Sequence, residues 1–382
     1  MIYLDNATTS WPKPETVYQT MDDFARTKAG NPGRGSHSMA IAAGETIDET
    51  RRLVARLINV RDRARVIFTL NCTDALNMGL KGLLKPGDHV ITSSLEHNSL
   101  IRPLRKLAQQ GVKVERLPPS TETGTVSPRS IEAAINSRTR LVVMTHASNV
   151  TGTIQPIAEY GEVTRRHKLI FMVDAAQTAG KFPIDVPAAN IDLLAFSGHK
   201  GLMGPSGTGV LYIGERVDLE TMREGGTGSH SEREEQPTEL PYRYECGTPN
   251  HLGLSGLGAG LKFIFKTSLE KICAHEQILT TSLITGLAGI AGLTLYHAKE
   301  GSDQAPVFSF NLEGYQPGEV GTILDQAFDI KVRTGLHCSP AAHRTLDSYP
   351  MGSIRLSPGY FNTPGEVEQT IRAVAQIARA KL

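Results

Sequence analysis

Two stretches decide the fold: Leu169-Ile170-Phe171-Met172-Val173-Asp174-Ala175-Ala176-Gln177 and Asp192-Leu193-Leu194-Ala195-Phe196-Ser197-Gly198-His199-Lys200. Each is a short apolar run that ends abruptly on polar and ionisable residues. Runs of this kind, without polar alternation, read as strands buried on both faces, as parallel sheets require. Working outward, further short runs rich in Val, Ile and Leu lie at 66–70, 89–94, 112–117, 140–146 and 208–213. Between most of them are segments of helical period at 74–84, 99–109 and 158–167, with Leu100, Leu104, Leu107 and Ala108 on one face of the second. Strands alternating with helices predict an α/β fold around a mostly parallel, seven-stranded sheet. The last run follows only a short glycine-rich link at 198–207 and is expected to pair antiparallel.

The second half differs. Residues 215–248 are polar and glycine-rich, with a charged stretch at 231–235, and predict a long surface excursion. Helical patterns follow at 256–286, 318–328 and 364–381, and a strand at 306–312. In the last helix Val367, Ile371, Val374 and Ala378 form an apolar stripe, with Pro364 at its start. The expected division is a large domain over 16–255 and a smaller α+β domain made of 1–15 and 256–382.

Composition narrows the function. Across 382 residues, 40 Lys+Arg balance 39 Asp+Glu for a net charge of +1, which removes the footprint of a general nucleic-acid or membrane-surface binder. No apolar run approaches the roughly 18–20 residues that span a bilayer, and no secretory signal opens the chain. Cys72, Cys246, Cys273 and Cys338 are scattered without metal-binding spacing, so no metal site is expected, and the cytoplasm is the expected compartment. No GxGxxG follows the first strand and no GxxxxGK[ST] occurs, which disfavours a nucleotide enzyme.

Sheets of this type bind ligands beyond the carboxyl ends of their strands. There the sequence places Cys72 and Thr73 opening a helix, then His97, Asn149, Asp174, Gln177, Ser197, His199 and Lys200. These groups fit pyridoxal phosphate. A helix start suits the phosphate, with donors from Thr73, Ser197 and His199. Asp174 suits the protonated pyridine nitrogen, His97 the ring face, and Lys200 the aldehyde. Taken singly, a strand-end Asp is usually a turn residue, a Gly-flanked Lys a solvated one, and His97 and Thr73 helix caps. The ordered combination carries the weight.

On these residues the sequence resembles the cysteine desulfurases of the class V aminotransferase group, which have the fold-type I architecture of pyridoxal phosphate enzymes. The matching stretches include Leu4-Asp5-Asn6-Ala7-Thr8-Thr9, Arg34-Gly35-Ser36-His37, Glu96-His97-Asn98, Asp174-Ala175-Ala176-Gln177, Ser197-Gly198-His199-Lys200, Gly247-Thr248-Pro249-Asn250 and Arg333-Thr334-Gly335-Leu336-His337-Cys338. The resemblance implies that Lys200 binds the cofactor covalently and moves the substrate's Cα proton. Asp174 would pair with the ring nitrogen, Gln177 with the phenolic oxygen, and His97 would stack on the ring and transfer a proton. Cys72 would add a backbone N–H beside the phosphate. Asn149 and Arg355 would hold the substrate carboxylate. It further implies a homodimer in which Thr248 completes the partner's phosphate site, and a sulfur-acceptor protein. Cys338, with Arg333 and His337 as positive neighbours, would take the substrate's sulfur as a persulfide, leaving alanine.

The short spacing from Arg-Thr-Gly to cysteine matches a subgroup that also contains selenocysteine lyases, so L-selenocysteine or another class V reaction is the alternative. Leu336 and Ser339-Pro340-Ala341-Ala342 depart from the usual run of that subgroup, and Asn71-Cys72-Thr73 is an unusual phosphate loop.

Overall fold

A computed structural model describes residues 1–32, 37–229 and 232–380. Arg34, Gly35 and Ser36 of the motif above, Ser231 of the charged stretch and Lys381 of the last helix lie outside the described residues.

Among them a seven-stranded sheet has the order Val66–Thr69, Gly209–Ile213, Leu193–Ser197, Ile170–Asp174, Thr139–Thr145, His89–Ser93 and Lys113–Leu117. Gly209–Ile213 is antiparallel to both its neighbours, as its short link predicts, and the other pairings are parallel. Side chains alternate between two cores. Phe171, Val173, Leu194 and Phe196 enter one, and Ile170, Met172, Leu193 and Ala195 the other. Burying Phe171 or Phe196 contributes about 1.5–3 kcal/mol each. Register then aligns the strand ends: Thr145 pairs with Asp174, and Asp174 with Ala195.

Two helices unread in the sequence, Glu15–Thr27 and Ser38–Leu57, pack against His251–Thr267. Their apolar steps have helical period, with Val17, Met21 and Phe24 in one and Ala40, Ala43, Ile47 and Val54 in the other. Glycines in His251–Thr267 allow the close approach. A Cβ on Gly256 would stand 2.7 Å from Met21 Sδ, and one on Gly258 2.5 Å from Thr50 Oγ1.

The helical pattern at 256–286 resolves into His251–Thr267 and Leu269–Ala288. Ser268, at φ +77°, ends the first helix, and its hydroxyl accepts the Lys271 N–H to begin the second. Leu257 and Leu261, beyond the expected boundary at residue 255, sit in the large sheet's core.

A second, four-stranded antiparallel sheet runs Arg333–Gly335, Ser353–Leu356, Phe308–Leu312, Leu293–Tyr296. Its core takes in Leu283, Leu324, Val367 and Val374, and also Ile2 and Leu4 from the chain start. Ile2–Tyr3 pairs in parallel with Ile330–Lys331. The helix Pro364–Arg379 begins with a capping box between Thr363 and Glu366.

Residues 215–248 contain no helix or strand among the described residues, yet the segment is not purely a surface one. Leu219 and Tyr244 are buried, and the Glu245 carboxylate accepts both Arg51 terminal nitrogens (2.7 and 2.9 Å) and the Phe68 N–H at 2.6 Å. A paired, hydrogen-bonded carboxylate is what lets this polar excursion dip into the core.

Candidate active site

Asp174 ends its strand fully inside the protein. Its Oδ1 accepts the Ala176 N–H at 2.9 Å and the Cys72 thiol at 3.4 Å. Burial raises the Asp174 carboxyl above its ordinary range, against the pull of the Ala176 bond and of Lys200. Burial, and next Asp174, push the Cys72 thiol far up, so it stays protonated and donates. Cys72 therefore does more than lend a backbone N–H. Its N–H donates to Ser197 Oγ at 3.1 Å, which ties the helix Cys72–Leu83 to the end of Leu193–Ser197. The cap of that helix is Asn71, whose side chain accepts the Asp74 N–H at 3.0 Å. Thr73 is not the cap but an exposed residue of the first turn, where backbone N–H groups lack intrahelical acceptors.

Lys200 is partly buried. Desolvation lowers the pKa of its amine, opposed by Asp174 and assisted by Arg355 and Arg333. His199 fixes the adjoining turn through its carbonyl, which accepts the Ser10 N–H at 3.0 Å and the Thr9 hydroxyl at 3.1 Å. Its ring Nδ1 is buried without a partner. Gln177 donates from Nε2 to the Ala7 carbonyl at 3.1 Å.

His97 does cap a helix. Its Nδ1 accepts the Ser99 N–H at 3.0 Å, at the start of Asn98–Gln109. Accepting there leaves the ring proton on Nε2. Burial first, then Lys200, Arg333 and Arg355, lowers His97 to about 3, so the ring is neutral at pH 7. Capping and stacking are compatible, since they use different parts of the imidazole.

Arg355 and Arg333 are neighbours across the small sheet. Both donate to Thr8 Oγ1, at 2.7 and 3.0 Å, and Arg355 also donates to Asp5 Oδ1 at 2.9 Å. Arg355 Nη1 reaches the Asn149 carbonyl at 3.3 Å, while its Nε is buried and unpartnered. Arg333 Nη2 lies 3.5 Å from the Sγ of Cys338, an exposed thiol. His337 is not the positive neighbour expected. It is buried with Nε2 3.0 Å from Ser353 Oγ, and burial, with Arg355, holds it neutral at about 2.

The fold thus brings Cys72, Ser197, Asp174, Lys200, His97, Asn149, Arg355 and Cys338 to one edge. Thr248 is set apart. It is exposed, in a cavity of about 560 Å³ lined by Arg51, Phe68, Tyr242 and Glu245 that none of the other predicted residues lines. Asp5, Thr8 and Ser339 went unassigned to roles from sequence. Asp5 and Thr8 lie in a quoted motif, but their partners are over three hundred residues away.

Glu96 also escaped assignment. It is fully buried; Oε1 accepts the Ser93 hydroxyl at 2.6 Å and the Thr145 N–H at 3.0 Å, and Oε2 has no partner. Burial raises it to about 8, so the folded protein holds it protonated at pH 7. Because the unfolded side chain ionises near 4.3, stability is full below that pH and is lost as pH rises toward 8. Glu96→Gln is expected to relieve a loss of order 2–5 kcal/mol. Thermal melts at pH 5 and pH 8.5 check this: the variant's advantage must grow with pH, and parallel curves refute it.

Compared with known proteins, the whole constellation falls within one match. The family model "Aminotransferase class-V" covers residues 2–370, and the chain belongs to that family. It is 34% identical to a probable cysteine desulfurase of Methanothermobacter thermautotrophicus, over 99% of this chain and 94% of that one. It is 32% identical to a cysteine desulfurase of Salmonella agona, with the same shares covered. Among solved structures, it superposes on the apo cysteine desulfurase of Thermococcus onnurineus NA1 with a TM-score of 0.92 (34% identity, 99% and 95% covered). On the Escherichia coli cysteine desulfurase CsdA in its S-sulfonic acid form the TM-score is 0.88 (29% identity, 100% and 95% covered). The fold-type I expectation matches these architectures.

Proposed function

We propose that this chain is a pyridoxal-phosphate-dependent cysteine desulfurase that converts L-cysteine to L-alanine and keeps the sulfur on Cys338 as a persulfide. One observation carries the reading. An exposed thiol beside a guanidinium stands at the same edge as a buried carboxyl and a partly buried lysine.

The residues fit the cofactor. A buried carboxyl raised by desolvation is stabilised as an anion by a cation placed against it, and a protonated pyridine nitrogen is such a cation. The unpartnered His199 Nδ1, the Ser197 hydroxyl and the first turn at Thr73 suit the phosphate, with the Cys72 N–H holding the Ser197 side chain in place. When bound, pyridoxal phosphate supplies an electron sink for negative charge at the substrate's Cα. Lys200, its amine made less basic by burial, takes the Cα proton. His97 contributes a neutral ring. Asn149 and Arg355 hold the substrate carboxylate, Arg355 with a spare Nε. The Cys338 thiolate forms a bond to the substrate's sulfur as the carbon–sulfur bond breaks. The electron pair of that bond stays with the carbon skeleton, which is protonated and leaves as alanine.

Supply of a nucleophilic thiol suits a cytoplasmic, reducing compartment. The reading includes a dimer, supported by Thr248, which stands apart from this chain's own site and would serve a partner's phosphate. A thiol or acceptor protein then removes the sulfur from exposed Cys338.

Purified protein supplied with pyridoxal phosphate and a reducing thiol is expected to release equal amounts of alanine and sulfide from L-cysteine. No alanine from L-cysteine would overturn the reading, and turnover of L-selenocysteine alone would replace it with selenocysteine lyase.

A further inference from the structure

The turn that carries Cys338 is held on both sides by a single amide. Asn149 Nδ2 donates to the His337 carbonyl at 2.7 Å, and Asn149 Oδ1 accepts the Ser339 hydroxyl at 2.7 Å. The direction is forced: a backbone carbonyl only accepts, so the NH₂ faces His337, and the oxygen must face a donor. The Cys338 carbonyl is itself pinned by the Asn98 N–H at 2.8 Å, next to His97. Beyond the turn, Ala342 and Leu346 pack on Leu95 and Val150. His337 and Cys338 both have left-handed backbone, at φ +49° and +58°. Side chains bearing a Cβ hold that conformation only where surrounding contacts impose it.

Ser339 is fully buried, at 0% exposure, and belongs to the run that departs from the subgroup's usual sequence. Its hydroxyl is the only hydrogen-bond donor to Asn149 Oδ1 among the described residues. Without it the amide keeps only the bond to His337, and its buried oxygen is left without a donor. One of the two Asn149 N–H donors is spent on His337, which leaves the other for a bound ligand.

We infer that Ser339 is a positioning residue for sulfur transfer: through Asn149 it locks the strained turn that aims the Cys338 thiol. The inference rests on the reading of Cys338 as the sulfur-accepting nucleophile. Its test uses the cofactor-loaded enzyme. Single-turnover persulfide formation at saturating L-cysteine is compared for native protein, Ser339→Ala and Ser339→Thr. The rate of Cys338 alkylation by iodoacetamide and the cofactor's absorption are read alongside.

Ser339→Ala is expected to slow persulfide formation about tenfold, with alkylation and absorption within twofold of native because the thiol is already exposed. Ser339→Thr, which keeps the hydroxyl, is expected to recover the rate to within about threefold of native. A native rate in Ser339→Ala overturns the inference, as does a loss shared equally by alkylation and absorption. Should Ser339→Ala fail to fold, Ser339→Thr against Ser339→Val decides, since the two are nearly isosteric and only the first donates; equal rates overturn it. Native enzyme that forms no persulfide from L-cysteine refutes the desulfurase reading itself.

Discussion

Lys200→Ala is expected to yield a folded protein without the yellow colour of covalently held pyridoxal phosphate, and with turnover of L-cysteine reduced about a thousandfold or more. The amine has two duties in the proposed reaction. It attaches the cofactor, and it moves the Cα proton. Among the described residues no other lysine acts on Asp174 and Cys72, and the neighbouring Lys181 is engaged with Glu276 at 3.3 Å. The fold is expected to survive, because Lys200 sits in a turn fixed through the His199 carbonyl and the Met203 N–H, which donates to the Lys200 carbonyl at 2.9 Å. Removing the amine also removes a charge that steadies the Asp174 carboxylate, so Asp174 shifts further up. Absorption spectra after cofactor addition and gel filtration, with an alanine assay, read the result. A retained band on the variant would reject Lys200 as the attachment point.

Cys338→Ser separates cofactor chemistry from sulfur chemistry. The variant is expected to stay yellow, because Asp174 is held by the Ala176 N–H and the Cys72 thiol and not by Cys338. Its turn is held by the Asn98 N–H on a backbone carbonyl and by Asn149 on its neighbours, none of which needs the sulfur. Alanine release should fall at least a hundredfold, since a hydroxyl at neutral pH is a far weaker nucleophile than a thiolate and cannot form the sulfur–sulfur bond. Mass spectrometry of native protein after one turnover should find one added sulfur atom on the peptide bearing Cys338, absent from the variant. Full alanine release by Cys338→Ser would remove the persulfide route while leaving Lys200 and Asp174 as they are.

The central sheet was legible because local pattern and burial agree there. Runs such as 169–173 and 193–196 are apolar at every position, which suits a short strand covered on both faces. The helices Glu15–Thr27 and Ser38–Leu57 were missed despite usable periodicity, as polar residues interrupt their stripes. The strand Ser353–Leu356 was missed for a better reason. Four residues long, it buries Ser353 and Arg355, and a buried arginine is intelligible only beside Asp5 and Thr8.

What the sequence determined by itself is which segments form the strands of the central layer and the identity of the polar residues that terminate them. These follow from short-range rules: the two-residue alternation of a strand, the helix repeat, and the turn residues between them. Tertiary structure alone decided how those residues are wired. It set Arg333 and Arg355 side by side on a hydroxyl from the chain start, and it made His337 neutral where sequence proximity had suggested a cation. It also joined Asn149 to Ser339 across 190 positions of chain. Such contacts depend on which elements pack together, and desolvation depends on everything that surrounds a group, so neither is encoded in the spacing of neighbouring residues.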